Sequence, residues 1–291
     1  MIIEVRLPTT LTDLLLKEFG NASRTTVKNM IAHGNVRVNG RMNTHPAARV
    51  NPGDRVEYSK QVVRRQKVRS PFPVLFEDEA ILVAEKPAGL LTVGERGEGG
   101  SSLYRELLEY VKENSGGRER LFVVHRLDRE VSGLLVFAKT EELQQKMKEA
   151  WKNNKKLYYA LVEGSPKNEK GTVRSWLREG AGQKMVSARN SDDAKLAITH
   201  YKVIDRTEDY ALLEVELETG RKHQIRVHLS EIGCPVVGDR KYGADSRFIR
   251  RIRLHAYYLL FHHPVTNEIL ELKSKMPKEF LVLRPGDEKY K

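Results

Sequence analysis

The sequence predicts an α+β protein: a large domain built on a β-sheet flanked by helices, preceded by a small helical and stranded module. Three observations carry this. Short apolar runs rich in Val, Leu and Phe recur along the chain, as at 121–124, 134–138 and 211–217, with the length and β-branched content of buried strands. Between them lie stretches with apolar residues three or four apart, such as Leu103, Leu107 and Val111, or Leu143, Met147 and Trp151, each opened by a capping residue. The length of 291 residues accommodates one large domain and one small one, and an apolar content of 40% supports a core.

Composition narrows the partner. The net charge is +12, so a polyanion is the expected partner. No apolar run approaches the ~20 residues of a membrane span, and the first residues lack the apolar core of a secretory signal, so no membrane association is expected. Cys234 is the single cysteine. An internal disulfide is excluded, which suits a cytoplasmic protein, and Cys234 reads as a structural residue before Pro235.

In chain order, residues 1–60 read as the small module. Thr12 is expected to cap a helix carrying Leu14, Leu15, Leu16 and Phe19, ended by Gly20. Ser23 caps a second, with Val27, Met30 and Ile31 on one face and Gly34 closing it. A strand over 35–38 runs into the turn pair Asn39-Gly40, and Pro52-Gly53-Asp54 turns the chain into a strand over 55–58. The run from Ser23 through Arg24, Val27, Lys28, Ile31, Gly34, Val36 and Val38 to Asn39-Gly40 resembles the S-four-type RNA-binding module, or αL motif. That resemblance implies that Arg24, Lys28 and Arg37 sit on or near an RNA-contacting face. Cations so arranged chiefly contact phosphates, which position RNA without specifying sequence. Residues 61–72, with Arg64, Arg65, Lys67 and Arg69 before Pro71, read as a basic linker able to follow a phosphate backbone.

The large domain, 73–291, opens as strand, turn and strand, followed by Lys86-Pro87-Ala88-Gly89. The stretch 94–100 is Gly-rich without the Lys and Ser/Thr of a phosphate loop or the spacing of a dinucleotide fingerprint, so it reads as a flexible loop. Ser102 is expected to cap the helix carrying Leu103, Leu107 and Val111. The next two apolar runs, 121–124 and 134–138, flank His125, Arg126, Asp128 and Arg129, with Ser132 and Gly133 read as turn residues. Charges pinned between buried runs are costly to desolvate unless paired, so an ion pair of Asp128 with a neighbouring Arg is the simplest structural reading. Thr140 caps a helix whose stripe of Leu143, Met147 and Trp151 reads as core. A strand over 158–164 follows, with Tyr158 and Tyr159 on opposite faces. Another strand over 211–217 breaks at Gly220. A helix then carries Ile225, Leu229 and Ile232 inward and stops at Gly233. Zinc is not expected: His223 and His228 are five apart, off the i, i+4 spacing that puts two ligands on one helical face, and no Cys pair exists.

His125-Arg126-Leu127-Asp128 followed by Ser132-Gly133-Leu134 resembles the signature of the RluA/RluD-type RNA pseudouridine synthases, with Val131 where that family usually has Thr. Lys86-Pro87-Ala88-Gly89 resembles its first motif, Lys156, Tyr158, Ala160, Val162 and Gly164 its next, and Gly220-Arg221-Lys222-His223-Gln224-Ile225-Arg226 its third. Gly238-Asp239, Tyr242-Gly243, Arg253-Leu254-His255-Ala256 and His263-Pro264 continue the likeness. Together with the module it spans about residues 12–58 and 73–285.

The resemblance implies a catalytic domain with a central, mainly antiparallel mixed sheet. The implied reaction is isomerisation of uridine to pseudouridine in structured RNA, most readily large-subunit ribosomal RNA, with transfer RNA the other candidate. It makes Asp128 the nucleophile, Arg226 its ionic partner and Tyr158 the residue facing the base. It gives the 86–89 loop a structural role. Asp128 can add to ribose C1′ or to C6 of the base; Tyr158 offers a flat face and a hydroxyl. The target base must be flipped out, and Arg126 is expected to fill the vacated stack. Arg221, within the third motif, is a further RNA-binding candidate. Arg247, Arg250, Arg251 and Arg253 suggest a second RNA-facing stripe. The reaction is redox-neutral and consumes no donor group, so no cofactor is expected, and a monomer is the default. The rival reading is a non-catalytic RNA-binding or ribosome-assembly factor on the same scaffold; Asp128, Tyr158 and Arg226 together argue against it, because a binder needs none of the three.

Overall fold

The computed structural model describes residues 1–20, 22–32, 34–59, 68–94, 100–189, 192–245, 249 and 251–281. Most of the basic linker and of the Gly-rich loop, together with Arg247 and Arg250, lie outside the described residues. The chain divides into two compact units, Met1–Arg69 with Lys112–Glu119, and Ser70–Val111 with Arg120–Lys291.

In the first unit, strands β1 (Ile2–Glu4) and β2 (Thr9–Thr10) lead to helices α1 (Leu11–Phe19) and α2 (Arg24–Ala32). Strands β3 (Val36–Val38), β4 (Arg41–Met42), β5 (Arg49–Val50) and β6 (Arg55–Tyr58) follow. The strands β1, β6, β3 and β4 form one antiparallel sheet in that order, and β2 pairs with β5. The β3–β4 hairpin turns at Asn39 and Gly40, whose φ angles of +52° and +78° suit its tight two-residue turn. Leu11, Leu15, Val27, Ile31, Val36, Val50 and Val56 make a small core of their own. Ser23 caps α2 as expected, its Oγ accepting from Thr26 N. The cap of α1 is Thr10 rather than Thr12. Thr10 has the extended backbone a cap needs and accepts from Asp13 N, whereas Thr12 lies one residue inside the helix and donates to Pro46 O.

The second unit contains β7 (Val74–Glu77), β8 (Ile81–Lys86), α3 (Leu103–Ser115, whose last turn is grouped with the first unit), β9 (Phe122–Val123) and β10 (Ser132–Ala138). Then come α4 (Glu141–Ala150), β11 (Lys155–Glu163), β12 (Lys170–Glu179), β13 (Met185–Ala188), β14 (Lys195–Arg206) and β15 (Tyr210–Leu217). The helix α5 (Gln224–Glu231) and strands β16 (Leu254–His262) and β17 (Ile269–Lys273) complete it. Among the described residues eleven strands join one sheet in the order β13-β12-β14-β15-β11-β16-β10-β8-β7, with β17 on β16 and β9 on β10. All pairings are antiparallel except β10 with β16, so the sheet is mixed and mainly antiparallel.

That one parallel pairing positions the site. β10 and β16 pair only at Ser132↔His255 and Gly133↔Ala256. Further along, β9 takes the free side of β10 and β17 the free side of β16, so the sheet splits and a cleft opens. The expectation that Ser132 and Gly133 form a turn is therefore corrected: both lie inside β10, and the chain turns earlier, where Val131 N donates to Asp128 O. Gly133 has φ +123°, and a Cβ there would stand 2.2 Å from Ala256 O. The glycine is required by backbone contact between two strands rather than by a turn.

Candidate active site

A cleft of about 1410 Å³ lies in the second unit, lined by the 121–131 segment, by Trp151, Lys156 and Tyr158, and by the 217–226 segment. The loop between β9 and β10 carries Asp128 to it. Two anchors hold this loop from the 86–92 segment. Thr92 Oγ1 donates to Leu127 O and accepts from Leu127 N. Lys86, fully buried at 0% exposure, donates to Pro87 O, Leu90 O and Arg129 O at 3.0, 2.7 and 3.0 Å. All three protons of the ammonium are thus used on backbone carbonyls. Burial still pulls its pKa down to about 8, against the raising effect of Asp128 and Glu130. Lys86 therefore braces the loop that bears Asp128.

Arg226 projects from the first turn of α5 and is 4% exposed. Its Nη1 stands 3.2 Å from Asp128 Oδ2 and 3.9 Å from Glu130 Oε2. Its other face meets Asp239, itself 1% exposed, in a bidentate pair: Nε donates to Oδ2 at 2.6 Å and Nη2 to Oδ1 at 2.9 Å. Two parallel charge-assisted bonds fix the guanidinium plane, leaving Nη1 for Asp128. Burial alone would make the guanidinium easier to deprotonate; the bonds and charges of Asp239 and Asp128 outweigh it and hold the cation more firmly. Tyr242 adds its ring, 5.1 Å from the Arg226 Cζ.

Tyr158 stands on β11 and lines the same cleft. Burial first, then the Asp128 charge, raises its phenol above the ordinary range, so the hydroxyl stays protonated at neutral pH. Tyr159 points away and stacks on Tyr257, ring centroids 3.8 Å apart. Arg126 is exposed on the cleft wall. Arg221 also lines the cleft, its Nε donating to Leu196 O at 3.0 Å, and Gln224 holds that turn by accepting from Arg221 N and Thr219 Oγ1.

Asp128, Tyr158, Arg226, Arg126 and Arg221 thus share one cleft. Arg24, Lys28 and Arg37 are exposed in the first unit, Arg24 paired with Asp13 at 3.0 Å. Arg251 and Arg253 both reach Glu279, at 3.3 and 3.8 Å, so neither is an unpaired cation. Trp151, expected as core, packs partly on the core and also stacks on His125 at 4.3 Å in the cleft wall. The sequence reading missed Asp239, Tyr242 and His223 as site residues. Asp239 and Tyr242 stood in the matched Gly238-Asp239 and Tyr242-Gly243 pairs; the signal for a role was an acidic residue in a segment otherwise rich in cations. His223 belongs to the third motif without an assigned role there, and its Nε2 is 3.8 Å from Asp128 Oδ2.

A half-buried carboxylate held by a buried guanidinium, with a tyrosine in the same cleft, can bind a flat base and present an oriented carboxylate to it. Comparisons with known proteins identify the family. The family described as RNA pseudouridylate synthase matches residues 80–231, and the S4 domain matches residues 12–56. A protein of Aquifex aeolicus described as an uncharacterized RNA pseudouridine synthase is 34% identical over 287 residues, spanning 91% of this chain and 90% of that protein. The ribosomal large subunit pseudouridine synthase D of Haemophilus influenzae is 31% identical over 296 residues, spanning 96% of this chain and 90% of that protein. The solved structure of human RNA pseudouridylate synthase domain containing 4 superimposes with a TM-score of 0.61 at 30% identity, covering 72% of this chain and 90% of that one. Among the described residues no helix is long and apolar enough to cross a membrane. With family, fold and cleft in agreement, this chain belongs to the RNA pseudouridylate synthase family and is an RNA pseudouridine synthase with an S4 domain.

Proposed function

We propose that this synthase isomerises uridine in large-subunit ribosomal RNA, in the cytoplasm, with Asp128 as nucleophile, Arg226 as its orienting partner and Tyr158 against the base. The observation that carries the assignment of Asp128 is its pairing with Arg226 at 3.2 Å in the cleft, with Asp239 fixing the guanidinium from behind. The ribosomal target rests on relatives in Zymomonas mobilis, Haemophilus influenzae and Pseudomonas aeruginosa, each named ribosomal large subunit pseudouridine synthase D.

The reaction breaks the C1′–N1 bond, rotates the uracil and forms C1′–C5. The C5 proton is lost and N1 gains one, so atoms and charge balance without a cofactor. Addition of the carboxylate to C1′ and addition to C6 both need an ionised, oriented Asp128. Arg226 pairs with one carboxylate oxygen, and its fixed plane sets where the other points. Tyr158 enters as a neutral phenol: its ring face suits stacking on uracil, and its hydroxyl keeps its proton. Extruding the target nucleotide costs a few kcal/mol, about what several phosphate contacts return. Arg221 at the cleft supplies such a contact, and Arg126 on the cleft wall fills the vacated stack. Residues 1–60 act as the RNA-binding module through Arg24, Lys28 and Arg37, with 61–72 as a basic tether to the catalytic domain at 73–291.

The test is pseudouridine mapping across ribosomal and transfer RNA from cells with wild-type or Asp128→Ala protein. Loss of signal at one or a few large-subunit uridines supports the target. Loss confined to transfer RNA moves the substrate there, and an unchanged map overturns both the target and the role of Asp128.

A further inference from the structure

His223 is used by nothing in the scheme above, yet its surroundings are built. It caps the start of α5 with φ +54° and ψ +17°, a left-handed conformation that non-glycine residues adopt at a cost. Strained backbone of this kind persists where the surroundings hold it. Here the holder is Tyr242, whose hydroxyl lies 2.8 Å from His223 Nδ1, with the two rings edge to face at 5.6 Å. The same hydroxyl accepts from Met185 N at 3.0 Å. Among the described residues the acceptor within reach of the Tyr242 proton is His223 Nδ1, so the tyrosine donates to it. Nδ1 is therefore the unprotonated nitrogen, and the imidazole proton sits on Nε2. That nitrogen is the one facing Asp128 Oδ2, at 3.8 Å.

Asp128 Oδ2 is thus approached by two donors, Arg226 Nη1 and His223 Nε2, both carried by the start of α5. Each donor is held in turn by one short segment. Asp239 grips Arg226 and Tyr242 grips His223, and Tyr242 N bonds to Asp239 O at 3.0 Å. Ser230, also on α5, donates to Tyr242 O at 2.6 Å and ties the segment back to the helix.

Resting on the assignment of Asp128 above, we propose that His223 is a second positioning residue for this carboxylate. Its tautomer is set by Tyr242, and it offers Nε2–H to Oδ2 when the substrate draws the loop in. The gap of 3.8 Å is longer than a hydrogen bond, and catalytic contacts of this kind commonly tighten in the substrate complex. The charged groups acting on His223 are Asp128, Arg226, Lys241 and Lys222; burial, the largest influence, keeps the ring neutral by lowering its pKa.

The test compares wild type, His223→Leu, His223→Gln, Tyr242→Phe and Asp128→Ala in single-turnover pseudouridine formation and in RNA binding, with thermal unfolding as a fold check. Misplacing a reacting group by about 1 Å costs on the order of 100-fold. His223→Leu should therefore slow turnover about 10- to 100-fold with RNA affinity within about twofold. His223→Gln, whose amide nitrogen reaches the Nε2 position, should recover most of the rate. Tyr242→Phe, which frees the tautomer, should fall between. Full rate in a folded His223→Leu protein overturns the proposal, as does equal slowing in folded Leu and Gln variants, or a change in affinity alone. Turnover by Asp128→Ala instead refutes the nucleophile assignment, so the two failures are distinguishable.

Discussion

Replacing Asp239 by alanine leaves a buried guanidinium without its closest partner. Asp239 and Arg226 are 1% and 4% exposed, so solvent does not screen their interaction. Removing one member of a buried ion pair costs about 3–5 kcal/mol, most of it the penalty of stranding the other charge. Arg226 keeps Asp128 at 3.2 Å and Glu130 at 3.9 Å, which offset part of that charge, so the lower end applies, about 3 kcal/mol. For a domain of this size each kcal/mol moves the melting temperature by about 2–4 °C, giving a fall of about 6–12 °C. The functional loss should be larger than the fold loss suggests. Without Asp239 the bidentate grip on the guanidinium plane is lost, and a shift of about 1 Å at Nη1 costs up to about 100-fold in rate. Asp239→Asn keeps the shape and one acceptor and should lie between. The assay is thermal unfolding followed by circular dichroism, paired with release of tritium from C5-labelled uridine at saturating RNA. An Asp239→Ala protein within about 1 kcal/mol of wild-type stability and at full rate would refute the reasoning.

Gly133→Ala should destabilise the second unit by about 3 kcal/mol, because its Cβ would meet Ala256 O at 2.2 Å in a positive-φ conformation; an unchanged urea midpoint would contradict this. Burial lowers the His255 pKa from 6.5 to about 4, so the unfolded chain binds the proton first. The contribution of His255 is then complete above pH 6.5 and lost as the pH falls toward 4, about 3 kcal/mol by pH 4.5. His255→Gln should flatten that slope relative to wild type in urea titrations at pH 7 and 4.5, and equal slopes would rule the cause out. Lys28→Ala and Arg37→Ala should weaken RNA binding without altering the single-turnover rate at saturation, each reducing the salt slope by about 1; an unchanged slope would remove both from the RNA interface.

Much of this fold is written in local pattern. Buried runs around 81–84 and 134–138, the stripes on α3 and α4, and the caps Ser23, Thr140 and Ser102 all announce themselves within a few residues. What local pattern cannot carry is pairing between distant strands. Gly133 looks like a turn residue by type, and only its register with Ala256 reveals why a side chain is excluded there. The site divides the same way. Asp128, Tyr158 and Arg226 lie in long motifs and were legible together. Asp239 and Tyr242 act on Arg226 and His223 across 13 and 19 positions of sequence, through contacts that no periodicity encodes. His223 lies in the third motif, but its sequence spacing only argues against a metal and points to no other role. Its left-handed backbone and its bond to Tyr242 are not visible in sequence.

The most direct measurement uses purified wild-type and Asp128→Asn protein, in excess over large-subunit ribosomal RNA carrying tritium at C5 of its uridines. Asparagine keeps the shape and a hydrogen-bonding oxygen toward Arg226 but cannot act as an ionised nucleophile. Single-turnover tritium release and the dissociation constant are read on the same preparation. The expected result is release by the wild type and none by Asp128→Asn, with RNA affinity within a few fold. Release by the variant at a comparable rate would contradict the central assignment.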